Sequence, residues 1–226
     1  MSEDARDDAE AAESAEPHEP RLEIVKGSPW TITGGRREKW SSDAFVQEHA
    51  VDVRQIGDPV LHSPARKPKL AKAELEALVQ RMYASMVAAR GIGIAAPQIG
   101  VPLRICIIDV DELGIVAIEP EIEWVSEEKD ETSEGCLSVR GLYGMIERPV
   151  AARLSATDPA GKRFTLEGIE LGAQCMLHET DHLEGRLYVD LLRSREHDLF
   201  PVEPARPGEE PRSVSGHHRE ELEPSA

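Results

Sequence analysis

The run His178-Glu179-Thr180-Asp181-His182 sets two imidazoles four residues apart with a carboxylate between them. Positions four apart on a helix differ by about 40° in azimuth, so both rings can reach one metal ion while Glu179 lies beside it rather than on it. A catalytic divalent metal takes three protein ligands and keeps one position open. Two histidines are therefore incomplete, and their less favoured reading is a pair satisfied on the surface of a helix. A third donor has to come from elsewhere in the chain.

In the zinc enzymes that extend this motif, the third histidine follows the first by ten residues. Here that position is Tyr188, although the intervening Gly185 matches. A later carboxylate could serve instead, from Glu184, Glu196 or Glu203, but the chain soon passes into a polar tail. Upstream, Glu134-Gly135-Cys136-Leu137-Ser138 offers a thiol next to a glycine, where backbone can approach closely and turn an N–H toward a ligand. Cys106, Cys136 and Cys175 are too few and too irregularly spaced for a disulfide framework, and all three read as thiols. Cys106 sits in an apolar run and reads as core. Cys175 is three residues before His178 and by spacing alone could also be a ligand. The segment Gly91-Ile92-Gly93-Ile94-Ala95-Ala96-Pro97-Gln98 is a small-residue turn ending in a side-chain amide. It lacks the third glycine and the preceding strand of a dinucleotide loop. His217 and His218 lie in a polar tail and read as solvent-exposed rather than metal-binding.

The elements that must position these groups follow from periodicity. Leu75, Leu78, Val79, Met82, Met86 and Val87 recur at helical spacing over residues 73–89, with Gly91 as a stop. Residues 104–110 form a short apolar run of strand length, and 114–118 and 122–125 suggest two more strands. Residues 152–157 and 163–166 flank Asp158-Pro159-Ala160-Gly161, which suits a hairpin turn. Helical spacing returns over 169–184, with Gly185 placed to cap it. A helix, a run of antiparallel strands and a second helix make an α+β order rather than alternating βαβ units. Trp30, Trp40 and Phe45 are too many aromatics for a free linker, so residues 21–50 are expected to pack as an arm on the domain.

The chain has 226 residues, a hydrophobic content of 40% and an aromatic content of 4%, so its core must be mainly aliphatic. Its formal charge of -17 is concentrated at the ends: residues 1–20 carry a net -7 and residues 197–226 a net -4, leaving -6 for 21–196. That sign argues against direct nucleic-acid binding. Both ends lack the large apolar side chains needed to offset the entropy of ordering, and both are expected to be disordered tails. The catalytic domain is expected over 51–196. No stretch approaches the roughly 20 apolar residues of a membrane span, and the acidic start lacks a secretory apolar region, so a cytoplasmic protein with no membrane partner is expected.

Taken together, GxGxAAxQ at 91–98, EGCLS at 134–138 and HExxH at 178–182 resemble the three signature motifs of peptide deformylases. The resemblance runs from about Val53, through Gln55-Ile56-Gly57-Asp58-Pro59-Val60-Leu61, to about Leu192. It implies an α+β fold in which antiparallel sheets surround a central helix bearing the two histidines. It implies one divalent metal held by Cys136, His178 and His182, with water in the fourth place; iron(II) is the expected ion, with zinc, nickel or cobalt as substitutes. It implies that Glu179 takes the proton from the metal-bound water and passes it to the leaving amine. Gln98 and the Leu137 N–H would then hold the oxyanion. The implied substrate is the formyl group on the initiator methionine of a nascent chain. Ile92 and Gly93 match positions that pair with the substrate backbone, while Leu171, Cys175 and His178 match part of the methionine pocket. Arg140, Tyr143 and Gln174 depart from the commonest pattern and concern substrate preference more than the reaction. The C-terminal end is acidic and rich in proline, unlike the basic helix with which some relatives are thought to dock on the ribosome, so that partner is not carried over. Two rival readings are a metallopeptidase of another lineage using the same helix, and a non-enzymatic relative with a structural metal.

Overall fold

The computed structural model describes residues 21–202. In chain order these form β1 (Leu22–Lys26), β2 (Thr31–Ile32), α1 (Gly34–Trp40), α2 (Asp43–His49), α3 (Lys72–Ala88), β3 (Gly93–Ala95), β4 (Ile105–Val110) and β5 (Leu113–Val125). There follow β6 (Lys129–Cys136), β7 (Val139–Pro149), β8 (Ala151–Thr157), β9 (Arg163–Ile169), α4 (Leu171–Leu183) and β10 (Leu199–Pro201). One sheet has the order β1-β9-β8-β5-β4-β3, with β2 also on β5, and a second has the order β10-β7-β6. Every pairing between these strands is antiparallel, which makes the fold α+β.

Strand alternation sends successive side chains to opposite faces, and β4 shows what that does here. Cys106 and Ile108 join Ala173, Cys175, Met176 and Leu183 of α4, whereas Ile105 and Ile107 join Leu78, Val79, Met82 and Met86 of α3. Both faces of the larger sheet are therefore covered, which is why β4 is apolar throughout instead of alternating. Helix α4 packs against β3, β4, β8 and β9, and it carries His178, Glu179 and His182. Gly185, at φ 74°, ends it.

Several local expectations change on contact with the tertiary structure. Residues 114–118 and 122–125 are not two strands but parts of the single long β5, which continues past Glu119 at φ 52° with a register shift between Ile118 and Glu121. The stop of α3 lies in Arg90, at φ 57°, and not in Gly91. Gly91 instead makes room, since a Cβ there would lie 2.8 Å from Leu137 Cδ1.

The chain before residue 51 forms β1, β2, α1 and α2. Trp40 and Phe45 are buried with α3, their rings stacked at 5.6 Å, and Tyr83 of α3 lies 5.9 Å from Trp40. At the other end, the boundary drawn at residue 197 falls too early. Leu199, Phe200 and Pro201 pair with Gly144, Tyr143 and Leu142 of β7, and Phe200 stacks on Tyr143 at 5.4 Å. A three-residue strand has no period of its own to read; it exists because β7 offers an edge and Tyr143 a ring. The acidic segment 1–20 and the His217-His218 pair lie outside the described residues.

Candidate active site

Hairpin β6–β7 and helix α4 bring the chemistry together. Cys136 is the last residue of β6, at the point where the register slips and Cys136 pairs with Val139. Its Sγ lies 3.2 Å from His182 Nε2, which in turn lies 3.2 Å from His178 Nε2. The three donor atoms fall within 4.8 Å of one another. The two rings stand nearly edge to face, at 85°, as expected of helix positions one turn apart that aim at a common point.

His178 is oriented from behind. Its Nδ1 meets Glu134 Oε1 at 2.6 Å, leaving Nε2 to face the site. Both carboxylate oxygens of Glu134 accept from Arg148, at 2.7 and 2.9 Å, and Arg148 Nη1 donates to Asp181 at 2.8 Å. Glu134, Arg148 and Asp181 are all buried. Burial acts to raise the Glu134 pKa, but His178 and Arg148 outweigh it and hold the carboxyl at about 2. Burial likewise acts to lower the His178 pKa, but Cys136 and Glu134 hold it well above the usual imidazole range. His182, buried and facing His178, is held well below that range. A divalent cation bound at these nitrogens would displace the proton this pairing favours on His178, because metal ligation needs neutral imidazoles.

Glu179 lies one residue on, buried, with Oε2 unpartnered among the described residues. Burial pushes its carboxyl up to about 8, with His178 pulling the other way. It fits only because β3 presents a glycine: a Cβ on Gly93 would lie 2.9 Å from Glu179 Cδ and from Cys175 Sγ, and would collide with Glu179 Oε1. Gln98 is fixed at the opposite wall. Its Oε1 accepts from the Ala95 N–H at 2.8 Å, which turns Nε2 toward Ser138 Oγ at 3.2 Å and Cys136 Sγ at 3.6 Å. The Ser138 N–H also points at Cys136 Sγ, at 3.3 Å.

These groups line one cavity of about 330 Å³. Ile92, Gly93, Gln98, Cys136, Leu137, Leu171, Cys175, His178 and Glu179 all reach its wall, while His182 sits behind, against Cys136 and His178. Cys175 is not drawn into the cluster of donors. Its thiol is directed to the Ile92 carbonyl at 3.6 Å, and burial, reinforced by Glu179, raises its pKa well above the ordinary value. Sequence reasoning assigned no role to Arg148 and Asp181, although Asp181 stands inside the motif. Its i+3 spacing from His178 places it on an adjoining part of the helix surface, but no local pattern announces Arg148, which reaches across from β7.

The donor set fits a divalent metal. One sulfur and two imidazole nitrogens converge, the bond from Glu134 to Nδ1 leaves Nε2 of His178 facing the site, and among the described residues three such donors are offered, which would leave one position for water or substrate. Fold and site thus define a candidate mononuclear metal centre on an α+β scaffold. A family model described as Polypeptide deformylase matches residues 50–198. Peptide deformylase of Agathobacter rectalis is 41% identical over 150 residues, covering 65% of this chain and 92% of that protein. The Acidothermus cellulolyticus peptide deformylase is 40% identical over 147 residues, covering 65% and 81%. Among solved structures, the Synechococcus elongatus peptide deformylase in complex with actinonin superposes with a TM-score of 0.62 at 37% identity, covering 65% of this chain and 80% of that one. The Thermotoga maritima peptide deformylase gives 0.61 at 33%, covering 65% and 99%. The chain belongs to the peptide deformylase family, whose members use a divalent metal.

Proposed function

We propose that this protein is a metal-dependent hydrolase that removes the N-formyl group from the initiator methionine of newly made polypeptides and releases formate. The observation that carries the reading is the convergence of Cys136, His178 and His182 in the same cavity as Glu179 and Gln98, in a chain of this family. We assign Cys136, His178 and His182 as the metal ligands and α4 as the central helix of the catalytic unit. That unit begins near residue 51 and extends through β10, with α1 and α2 packed on it. The working compartment is the cytoplasm; among the described residues no helix is long and apolar enough to cross a membrane.

Iron(II) is the ion we assign, with zinc, nickel or cobalt accepted by the same sulfur and nitrogen donors, and such an ion supplies Lewis acidity toward water and the formyl oxygen. The remaining work falls to side chains. Glu179, ionised, takes a proton from the attacking water as the oxygen bonds to the formyl carbon. When the carbon–nitrogen bond breaks, it returns that proton to the amine. Burial holds the Glu179 carboxyl at about 8, mostly protonated near neutral pH, and a divalent cation held by Cys136, His178 and His182 would favour the ionised form that accepts the proton. The Gln98 amide and the Leu137 N–H donate to the oxygen that gains charge in the tetrahedral intermediate. Ile92 and Gly93 align the substrate backbone, and Leu171 and Cys175 wall the methionine side chain.

The test is formate release from formyl-methionyl peptides by protein prepared without oxygen, with metal content measured on the same sample. Cys136→Ala should lose both metal and activity. A variant that keeps a full equivalent of metal and near-normal turnover would place the third ligand elsewhere and favour a metallopeptidase of another lineage.

A further inference from the structure

The strand that closes the smaller sheet ends beside the catalytic cavity, and the family match stops at residue 198, just before that strand. β10 is held on β7 by its pairing at Leu142, Tyr143 and Gly144 and by the Phe200–Tyr143 stack. The Val202 N–H continues the ladder to the Gly141 carbonyl at 2.9 Å. This places Val202 in the wall of the cavity that also contains Cys136, His178 and Glu179. Leu142 shares that wall, and Arg90, exposed and at φ 57°, also lines the cavity.

We infer that Val202, carried by β10, is a specificity-determining residue that with Leu142 selects an apolar side chain immediately after the formyl-methionine. The inference rests on the deformylase reading above, which sends the formyl group to Cys136, His178 and Glu179 and the methionine toward Leu171 and Cys175. The next residue of the peptide must then leave along the remaining wall, where the chain supplies two partly buried aliphatic side chains. Contact with them removes apolar surface of the substrate from water, and the gain scales with the area covered. A charged side chain at the same place would lose hydration against Leu142 and Val202 without a partner from either.

The experiment compares kcat/KM for formyl-Met-Leu, formyl-Met-Ala and formyl-Met-Lys amides in the full-length, metal-loaded protein and in Val202→Ala, Val202→Asp and Val202→Ile. Formate release by the unaltered protein tests the underlying reading; none from any of the three peptides would overturn that reading and this inference with it. Given turnover, the ratio of kcat/KM for the leucine peptide over the alanine peptide should fall about three- to tenfold in Val202→Ala and be restored or raised in Val202→Ile. In Val202→Asp the preference should move toward the lysine peptide. These ratios are insensitive to a uniform loss of folded enzyme, and circular dichroism checks that each variant is folded. Unchanged ratios in all three variants, or a loss shared equally by the three peptides, would refute the role of Val202.

Discussion

A methyl group added to Gly93 should disable the site while leaving its ligands in place. The ideal Cβ would lie 2.9 Å from both Cys175 Sγ and Glu179 Cδ and would overlap Glu179 Oε1, distances that real Cβ contacts do not tolerate. β3 cannot retreat far, because Gly93, Ile94 and Ala95 pair with Ile108, Ile107 and Cys106 of β4. Helix α4 is equally fixed by its packing on the sheet. The Glu179 side chain is the soft element, and it has to swing by about 1 Å. Overpacking of this kind costs about 1–3 kcal/mol, or roughly 2–12 °C in Tm for a protein of this size. The larger effect is kinetic, since a misplacement of about 1 Å at a reacting group costs about 10²-fold in rate. For Gly93→Ala we therefore expect kcat to fall about 10²-fold with a full equivalent of metal retained. A Gly93→Ala/Glu179→Ala double variant should regain part of the lost Tm, because the clashing carboxylate is gone while the 2.9 Å approach to Cys175 Sγ remains. Steady-state formate assays, metal analysis and thermal denaturation read all three quantities. If Gly93→Ala kept kcat within fivefold, or if the double variant recovered no stability, the contact between β3 and Glu179 would not be what sets the carboxylate's position.

Three further perturbations separate the roles assigned above. Glu179→Gln should keep the metal and lower kcat severely, since it removes the proton carrier but no ligand; near-normal turnover with full metal would refute that role. Gln98→Ala should cut kcat by about 10²- to 10³-fold with little change in the binding of product peptides, and Gln98→Glu should be at least as damaging. A rise confined to KM would make Gln98 a ground-state binding residue instead. Arg148→Met should destabilise by about 3 kcal/mol, because it removes the cation shared by two buried carboxylates and leaves Glu134 with His178 alone and Asp181 with Arg186 alone. A change in Tm below about 3 °C would show that water replaces the guanidinium.

The candidate donors are legible in the sequence because their spacing carries geometry: His178 and His182 need only a helix to converge, and periodicity over 169–184 supplies one. Cys136 was reached through the motif it stands in, since nothing about a cysteine after a glycine fixes where its sulfur points. What orients the site was harder to see. Arg148 reaches Glu134 and Asp181 only because β7 folds back on β6 and α4 packs nearby, and no local pattern encodes that triangle. The same holds for β10, whose three residues acquire strand geometry from the edge of β7 alone. The apolar runs at 114–118 and 122–125 suggest two strands, whereas the sheet carries one long β5 through Glu119 and Pro120 with a register shift. Trp40 and Phe45 show the converse: composition alone announced that they would be buried, though not that α3 would cover them.

The buried polar atoms without a hydrogen-bond partner gather at the candidate site, with those of Arg37 and Glu119 lying outside it. Among the described residues they are Arg37 Nε, Glu119 Oε1, Gln174 Oε1, Glu179 Oε2, His182 Nδ1 and Tyr188 Oη. Each such atom costs about 1–3 kcal/mol when water and protein both fail to satisfy it. Gln174 and Glu179 line the cavity, His182 belongs to the group of donors that could hold a metal ion, and Tyr188 packs in a cluster with Cys136. Stability alone would favour apolar residues at such places. The neighbouring Glu134, by contrast, has both oxygens engaged by His178 and Arg148. The division follows from function. Glu134, proposed to orient an imidazole, is fully satisfied within the protein, whereas Glu179, proposed to exchange protons with water and an amine, keeps Oε2 without a hydrogen-bond partner among the described residues.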